Sequence, residues 1–155
     1  GRTGGNILPE TILRLAQIEN IVAVKEASGH ITQVMELKQK APENFSILSG
    51  EDALTFAMIA LGADGVISVI SNEIPKEFSH MVELARQGEF AASQKLHYRY
   101  LDLMNINFVE SNPIPLKYAL SKMGRIKEVY RLPLTPLAEA NKAKVDAILS
   151  NLGLI

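Results

Sequence analysis

Between residues 9 and 88 the apolar residues switch repeatedly between two spacings, and this alternation limits the fold more than any other feature of the chain. "PETILRLAQIEN" sets Ile12, Leu15 and Ile18 about one helical turn apart, with Glu10 in the first turn, where an acid suits the helix dipole. "IVAVKEAS" is a short, mostly β-branched run that reads as a buried strand. "HITQVMELKQKAP" returns to helical spacing through Ile31, Val34, Met35 and Leu37 and stops before Pro42. "NFSILSGE" then reads as a strand and "EDALTFAMIALGA" as a helix closed by Gly62. "DGVISVIS" is a third strand, and "PKEFSHMVELARQG" an amphipathic helix with Gly88 as its C-terminal cap.

Strands alternating with helices in this way predict an α/β fold built of βαβ units on a parallel sheet. The nearly unbroken apolar strands agree, because parallel strands are covered on both faces. Three such strands leave two bare edges, which invite aggregation. The economical solution is that they are the last three β/α units of a (β/α)₈ TIM barrel, a fold of about 250 residues. A self-contained three-stranded domain is the other solution. Beyond Gly88 the rhythm becomes wholly helical. "EFAASQKLHYRYLDLMNINFVE", "NPIPLKYALSKMG" and "TPLAEANKAKVDAILSNLGL" predict a three-helix C-terminal extension. Asn112 is expected to cap the second helix; Thr135 is the expected N-cap of the third, with Pro136 in its first turn. The expected division is residues 1–87 as partial barrel and 88–155 as helical region.

Composition narrows the function classes. Of 155 residues, 47% are hydrophobic and 21% charged, as in a globular protein, and the net charge of −1 makes no electrostatic case for nucleic acid or a membrane surface. Without cysteine there is neither a disulfide framework nor a zinc-thiolate site, and His30, His80 and His97 show no metal-ligand spacing. A cytoplasmic protein is expected. The opening "GRTGGNILPE" carries no initiator methionine, apolar signal core or basic presequence, which suggests a piece of something longer.

In a barrel the chemistry lies at the C-terminal ends of the strands. Lys25, Gly50, Ile67 and Ser68 are placed there by the pattern. A lysine ending an apolar strand is unusual, since its ammonium loses hydration when buried. An amine held among apolar walls gives up its proton more readily, and the neutral amine attacks a ketone or aldehyde to form a Schiff base. The plainer reading is a lysine reaching for solvent. Glu26 is not its obvious partner, because neighbouring side chains on a strand point to opposite faces. "GEDALTFAMIALGADG" lacks the spacing of a phosphate-binding loop. His97, Tyr98 and Tyr100 read as packing or interface groups.

The residues themselves carry a resemblance. "VAVKEASG" resembles the Schiff-base strand of the dihydrodipicolinate synthase and N-acetylneuraminate lyase superfamily. "GRTGGNILPET", "LSGEDALTFAMIALGADGVISV" and "ESNPIPLKYAL" resemble, in order, the loop after that family's fifth strand, its seventh and eighth strands with the helix between, and its C-terminal helical region. The resemblance spans the chain. It implies that Lys25 forms an imine with pyruvate, whose enamine attacks aspartate semialdehyde in lysine and diaminopimelate biosynthesis. It also implies that Arg2 grips a substrate carboxylate, for which a planar guanidinium is suited. Arg2 and "KEASG" favour the synthase branch over neuraminate lyases and keto-deoxy sugar acid aldolases. Gly50 and Ile67 match positions lining the pyruvate pocket. No metal or organic cofactor is implied, and the partners are small-molecule substrates and further copies in a homotetramer. The family's proton-relaying tyrosines and threonine would precede Gly1. Such groups contribute about 10²- to 10⁴-fold each, so the 155 residues alone are expected to be nearly inert, a non-catalytic fragment being the limiting case.

Overall fold

A computed structural model describes residues 3–155. Its strands β1 (Ala23–Glu26), β2 (Ser46–Ser49) and β3 (Gly65–Val66) form a parallel sheet in the order β1-β2-β3. Lys25 stands opposite Leu48, and Ser49 opposite Val66. The expected parallel α/β arrangement is therefore present. The third strand is far shorter than the run "DGVISVIS" suggests: one further bond, Ile67 N–H to Ser49 O at 2.8 Å, continues the ladder. The chain then turns into the 3₁₀ segment Ile70–Asn72, with Ile70 fully buried. A β-branched run signals burial as readily as strand.

Helices α1 (Pro9–Leu15), α2 (Ile31–Lys40), α3 (Thr55–Ala60) and α4 (Pro75–Arg86) follow the apolar spacing. The first ends sooner than expected. Gln17 and Ile18 bond back only three residues, tightening the turn, and Ile18 is left exposed. Helix α1 and helix α2 cover the sheet face that carries Val24 and Ile47. There Ile12, Leu37, Phe45 and Ile47 form a core, and Val34, Met58 and Ala63 form another. Each fully buried aliphatic side chain such as Leu37 stabilises the fold by about 1.5–3 kcal/mol. Gly88 closes α4 as expected. At φ 82° it donates to Ala85 O while Glu89 donates to Leu84 O, the bond pattern that needs a left-handed residue.

Three more helices follow, α5 (Phe90–Ile106), α6 (Ile114–Lys122) and α7 (Glu139–Asn151). Neither expected residue stands at the N-cap position. Pro113, not Asn112, precedes α6, and Ala138 rather than Thr135 precedes α7. The reason at α7 is tertiary. The Glu110 carboxylate accepts from Ala138 N–H at 3.0 Å and from Asn141 Nδ2 at 2.8 Å. An anion already lies at that helix start, so the cap residue need not supply one.

The described chain gathers into two compact units. One holds the residues up to Ser68 together with His80–Gln94; the other holds Val69–Ser79 and Lys95–Ile155. Among the described residues no helix is long and apolar enough to cross a membrane.

Candidate active site

Strand alternation decides which side chains meet at the end of β1. Val24 and Glu26 point to the helix-covered face, and Lys25 points to the other. On that second face Leu48 is half-exposed and Lys25 exposed, so the apolar enclosure expected around the lysine is not supplied by the described residues. Glu26 is not its partner, as expected from the alternation. It is 4% exposed, and its Oε1 accepts from Ser28 N–H and from Gln33 Nε2, both at 3.1 Å.

Gly50 sits directly against the lysine. Its N–H donates to Glu26 O at 2.7 Å, tying the end of β2 to the end of β1. A Cβ at Gly50 would lie 2.6 Å from Ala27 Cβ and 3.0 Å from both Cγ and Cε of Lys25. Its φ is not in the left-handed region, so this glycine serves close approach and not a turn. Ile67 follows β3 and is 47% exposed. Through Ile67 N–H to Ser49 O it is backbone-linked to the residue preceding Gly50. Lys25, Gly50 and Ile67 therefore occupy the C-terminal ends of three adjacent parallel strands. Arg2 lies outside the described residues.

Buried hydroxyls hold the turn after Gly50. Ser49 Oγ donates to Glu51 O at 2.9 Å and accepts from Glu51 N–H at 3.2 Å, while Thr55 Oγ1 reaches both Ser49 Oγ and Glu51 O. Ser49 and Thr55 are fully buried. Glu51, at this turn, has its carboxyl pushed above the usual range by burial and then by the neighbouring Asp52 charge, against an opposing hydrogen bond from Ala53 N–H.

A cleft of about 490 Å³ runs along β1, lined by residues of its C-terminal half, by Ser28 and Gln33, and by residues 4–7. Gln33 organises this edge. Besides Glu26, its Nε2 donates to Ile7 O at 3.1 Å, and its Oε1 accepts from Asn6 Nδ2 at 3.0 Å. Gln33 and Glu51 were given no role from the sequence, and Glu26 only that of a residue that does not pair with Lys25. The signal for Gln33 was available: a carboxamide one turn before Leu37 on the apolar face of α2, where a polar residue needs a buried partner.

Residues 1–152 match the family model described as the dihydrodipicolinate synthetase family. The chain is 50% identical over 156 residues to a 4-hydroxy-tetrahydrodipicolinate synthase of Chloroherpeton thalassium, covering all of this chain and 52% of that protein. It resembles the crystal structure of a dihydrodipicolinate synthase from Thermotoga maritima with a TM-score of 0.95 and 39% identity, covering 99% of this chain and 53% of the other. A dihydrodipicolinate synthase from Acinetobacter baumannii, solved with pyruvate, gives a TM-score of 0.93 and 38% identity over 97% of this chain and 52% of that one. The chain thus spans about half the length of the proteins it matches.

Proposed function

The chain belongs to the dihydrodipicolinate synthetase family, and from that membership we propose that it carries the nucleophilic lysine of a 4-hydroxy-tetrahydrodipicolinate synthase. Lys25 is that nucleophile. Its amine adds to the ketone of pyruvate and water leaves, giving an imine. Loss of a methyl proton yields an enamine, whose carbon bonds to the aldehyde carbon of aspartate semialdehyde. The semialdehyde's own amine then displaces Lys25 from the imine carbon, closing the ring and freeing the enzyme.

The observation that carries this reading is the clearance at Gly50. A lysine merely reaching for solvent does not require its stem to lie where a Cβ on the next strand would be 3.0 Å away. Gly50 and Ile67 then flank pyruvate through backbone and shape, and Arg2 takes a substrate carboxylate. The family's names favour the synthase over sugar-aldehyde lyases. The sheet is read as the last three strands of a (β/α)₈ barrel, with residues 88–155 as its helical extension, in a cytoplasmic homo-oligomer. The proton-transfer groups would come from outside these 155 residues.

The test is borohydride trapping. The protein expressed from its complete gene is treated with pyruvate and borohydride, then weighed intact and peptide-mapped. A reduced pyruvyl adduct on the peptide containing Lys25, absent from Lys25→Ala, is expected. An unmodified Lys25 peptide would overturn the assignment.

A further inference from the structure

Beside Lys25 lies a polar network with no place in that mechanism. Glu26 is 4% exposed in the strand, and Gln33, 8% exposed, lies on the core side of α2. Burying such a pair is costly unless its hydrogen bonds are made, and here they are directed. Glu26 Oε1 fixes Ser28 N–H, in the turn leaving β1, while Gln33 fixes Asn6 and Ile7 in the loop ahead of α1. The Glu26–Gln33 bond at 3.1 Å joins the two. Residues 3–8 are exposed, and within this stretch Gly5 N–H donates to Thr3 Oγ1 at 3.4 Å. Among the described residues, the Gln33 carboxamide ties this loop to α2 through both Asn6 and Ile7.

We propose that Gln33, anchored by Glu26, is a positioning residue that locks the loop of residues 4–7 against the Lys25 strand and thereby shapes the wall of the cleft in which Lys25 would meet pyruvate. This rests on the imine reading of Lys25. Glu26 acts as hydrogen-bond acceptor and not as counter-ion to the lysine, since the two side chains leave the strand on opposite faces. A small displacement of such a wall weakens binding far more than it slows the bond-forming step, because the amine itself stays in place.

The rate of borohydride trapping is measured against pyruvate concentration in the protein from its complete gene, with thermal melts alongside. Gln33→Met keeps the shape and removes the donors. It is expected to raise the pyruvate concentration for half-maximal trapping about tenfold and to change the maximal rate less than about threefold. Asn6→Ala removes one anchor from an exposed side chain that the fold does not need, and should raise half-saturation by about threefold. Glu26→Met with Gln33→Met replaces both buried partners by apolar groups and should recover most of the melting temperature lost in Gln33→Met. Half-saturation should stay raised. If it returns together with the melting temperature, the network is packing only and the proposal fails. Unchanged half-saturation in both Gln33→Met and Asn6→Ala, with a normal wild-type adduct, also overturns it while leaving the lysine assignment intact. A wild type that forms no adduct overturns both.

Discussion

The two compact units bury polar groups in different ways. In the unit with the sheet, Glu26, Gln33, Ser49 and Thr55 are all buried around the C-terminal ends of β1 and β2, within a few residues of Lys25 or Gly50. In the helical unit, three polar bonds lie away from any strand end and join segments far apart in sequence. Asn107 Nδ2 donates to Glu73 Oε2 at 2.6 Å, Arg125 to Glu73 O at 2.6 Å, and Tyr118 to Asp146 at 3.0 Å. Buried polar groups cost free energy unless they are satisfied, so their placement is informative. The four named in the first unit lie about the candidate strand-end site, and those named in the second tie helices together. Substitutions in the first should separate lysine chemistry from stability, whereas in the second only stability should move.

The sharpest separation is expected at Gly50. Gly50→Ala drives a methyl to 2.6 Å from Ala27 Cβ and against the Lys25 stem. Overpacking of this kind costs about 1–3 kcal/mol, but the lysine, pushed from its path, should lose about tenfold or more in pyruvate trapping. Adding Ala27→Gly removes the closest clash and should return part of both losses. If trapping in Gly50→Ala equals wild type, the clearance at Gly50 has nothing to do with Lys25. The first unit would then lose its functional distinction.

The matching change in the second unit is Asn107→Ala. It removes a donor to Glu73 Oε2 in a site where Glu73 is fully buried and Asn107 is 1% exposed. Leaving a buried acceptor short of a donor costs about 1–3 kcal/mol, more for a charged one, read as a lower midpoint in urea. Trapping at Lys25, measured well below that midpoint, should not change. A loss of trapping that exceeds the loss of stability would break the comparison from the other side.

What could be read from the letters follows the range of the forces involved. The parallel sheet, the helices between its strands and the placing of Lys25 and Gly50 at strand ends rest on periodicity, which is local. The length of β3 was not legible, because a β-branched run such as "DGVISVIS" marks burial whether the backbone is strand or 3₁₀. Thr135 does not stand at the cap of α7, where Glu110, 28 residues from Ala138, already supplies an anion to the helix start. The pairing of Glu26 with Gln33 needed the turn between β1 and α2 to bring an amide onto a carboxylate seven residues earlier in sequence. Family motifs single out Lys25 as the candidate nucleophile but say nothing of what holds the neighbouring loop.

The smallest expected effect concerns Glu51 and tests whether polar placement in the first unit carries a cost. Burial, then repulsion from Asp52, raise its carboxyl above the usual range. The folded protein therefore holds this proton more tightly than the unfolded chain does. As pH rises past the ordinary glutamate value of about 4.3, the unfolded chain ionises first, so stability falls until the folded group's own raised value is passed. Glu51→Gln removes that term. The variant should melt slightly above wild type at neutral pH, with the gap closing as pH falls through about 4. Melting temperatures of both proteins between pH 3.5 and 7 decide it, each value compared at matched ionic strength. A gap that stays constant with pH would mean that Glu51 is solvated enough to ionise freely. The strand-end turn would then be held by Ser49 and Thr55 without electrostatic penalty.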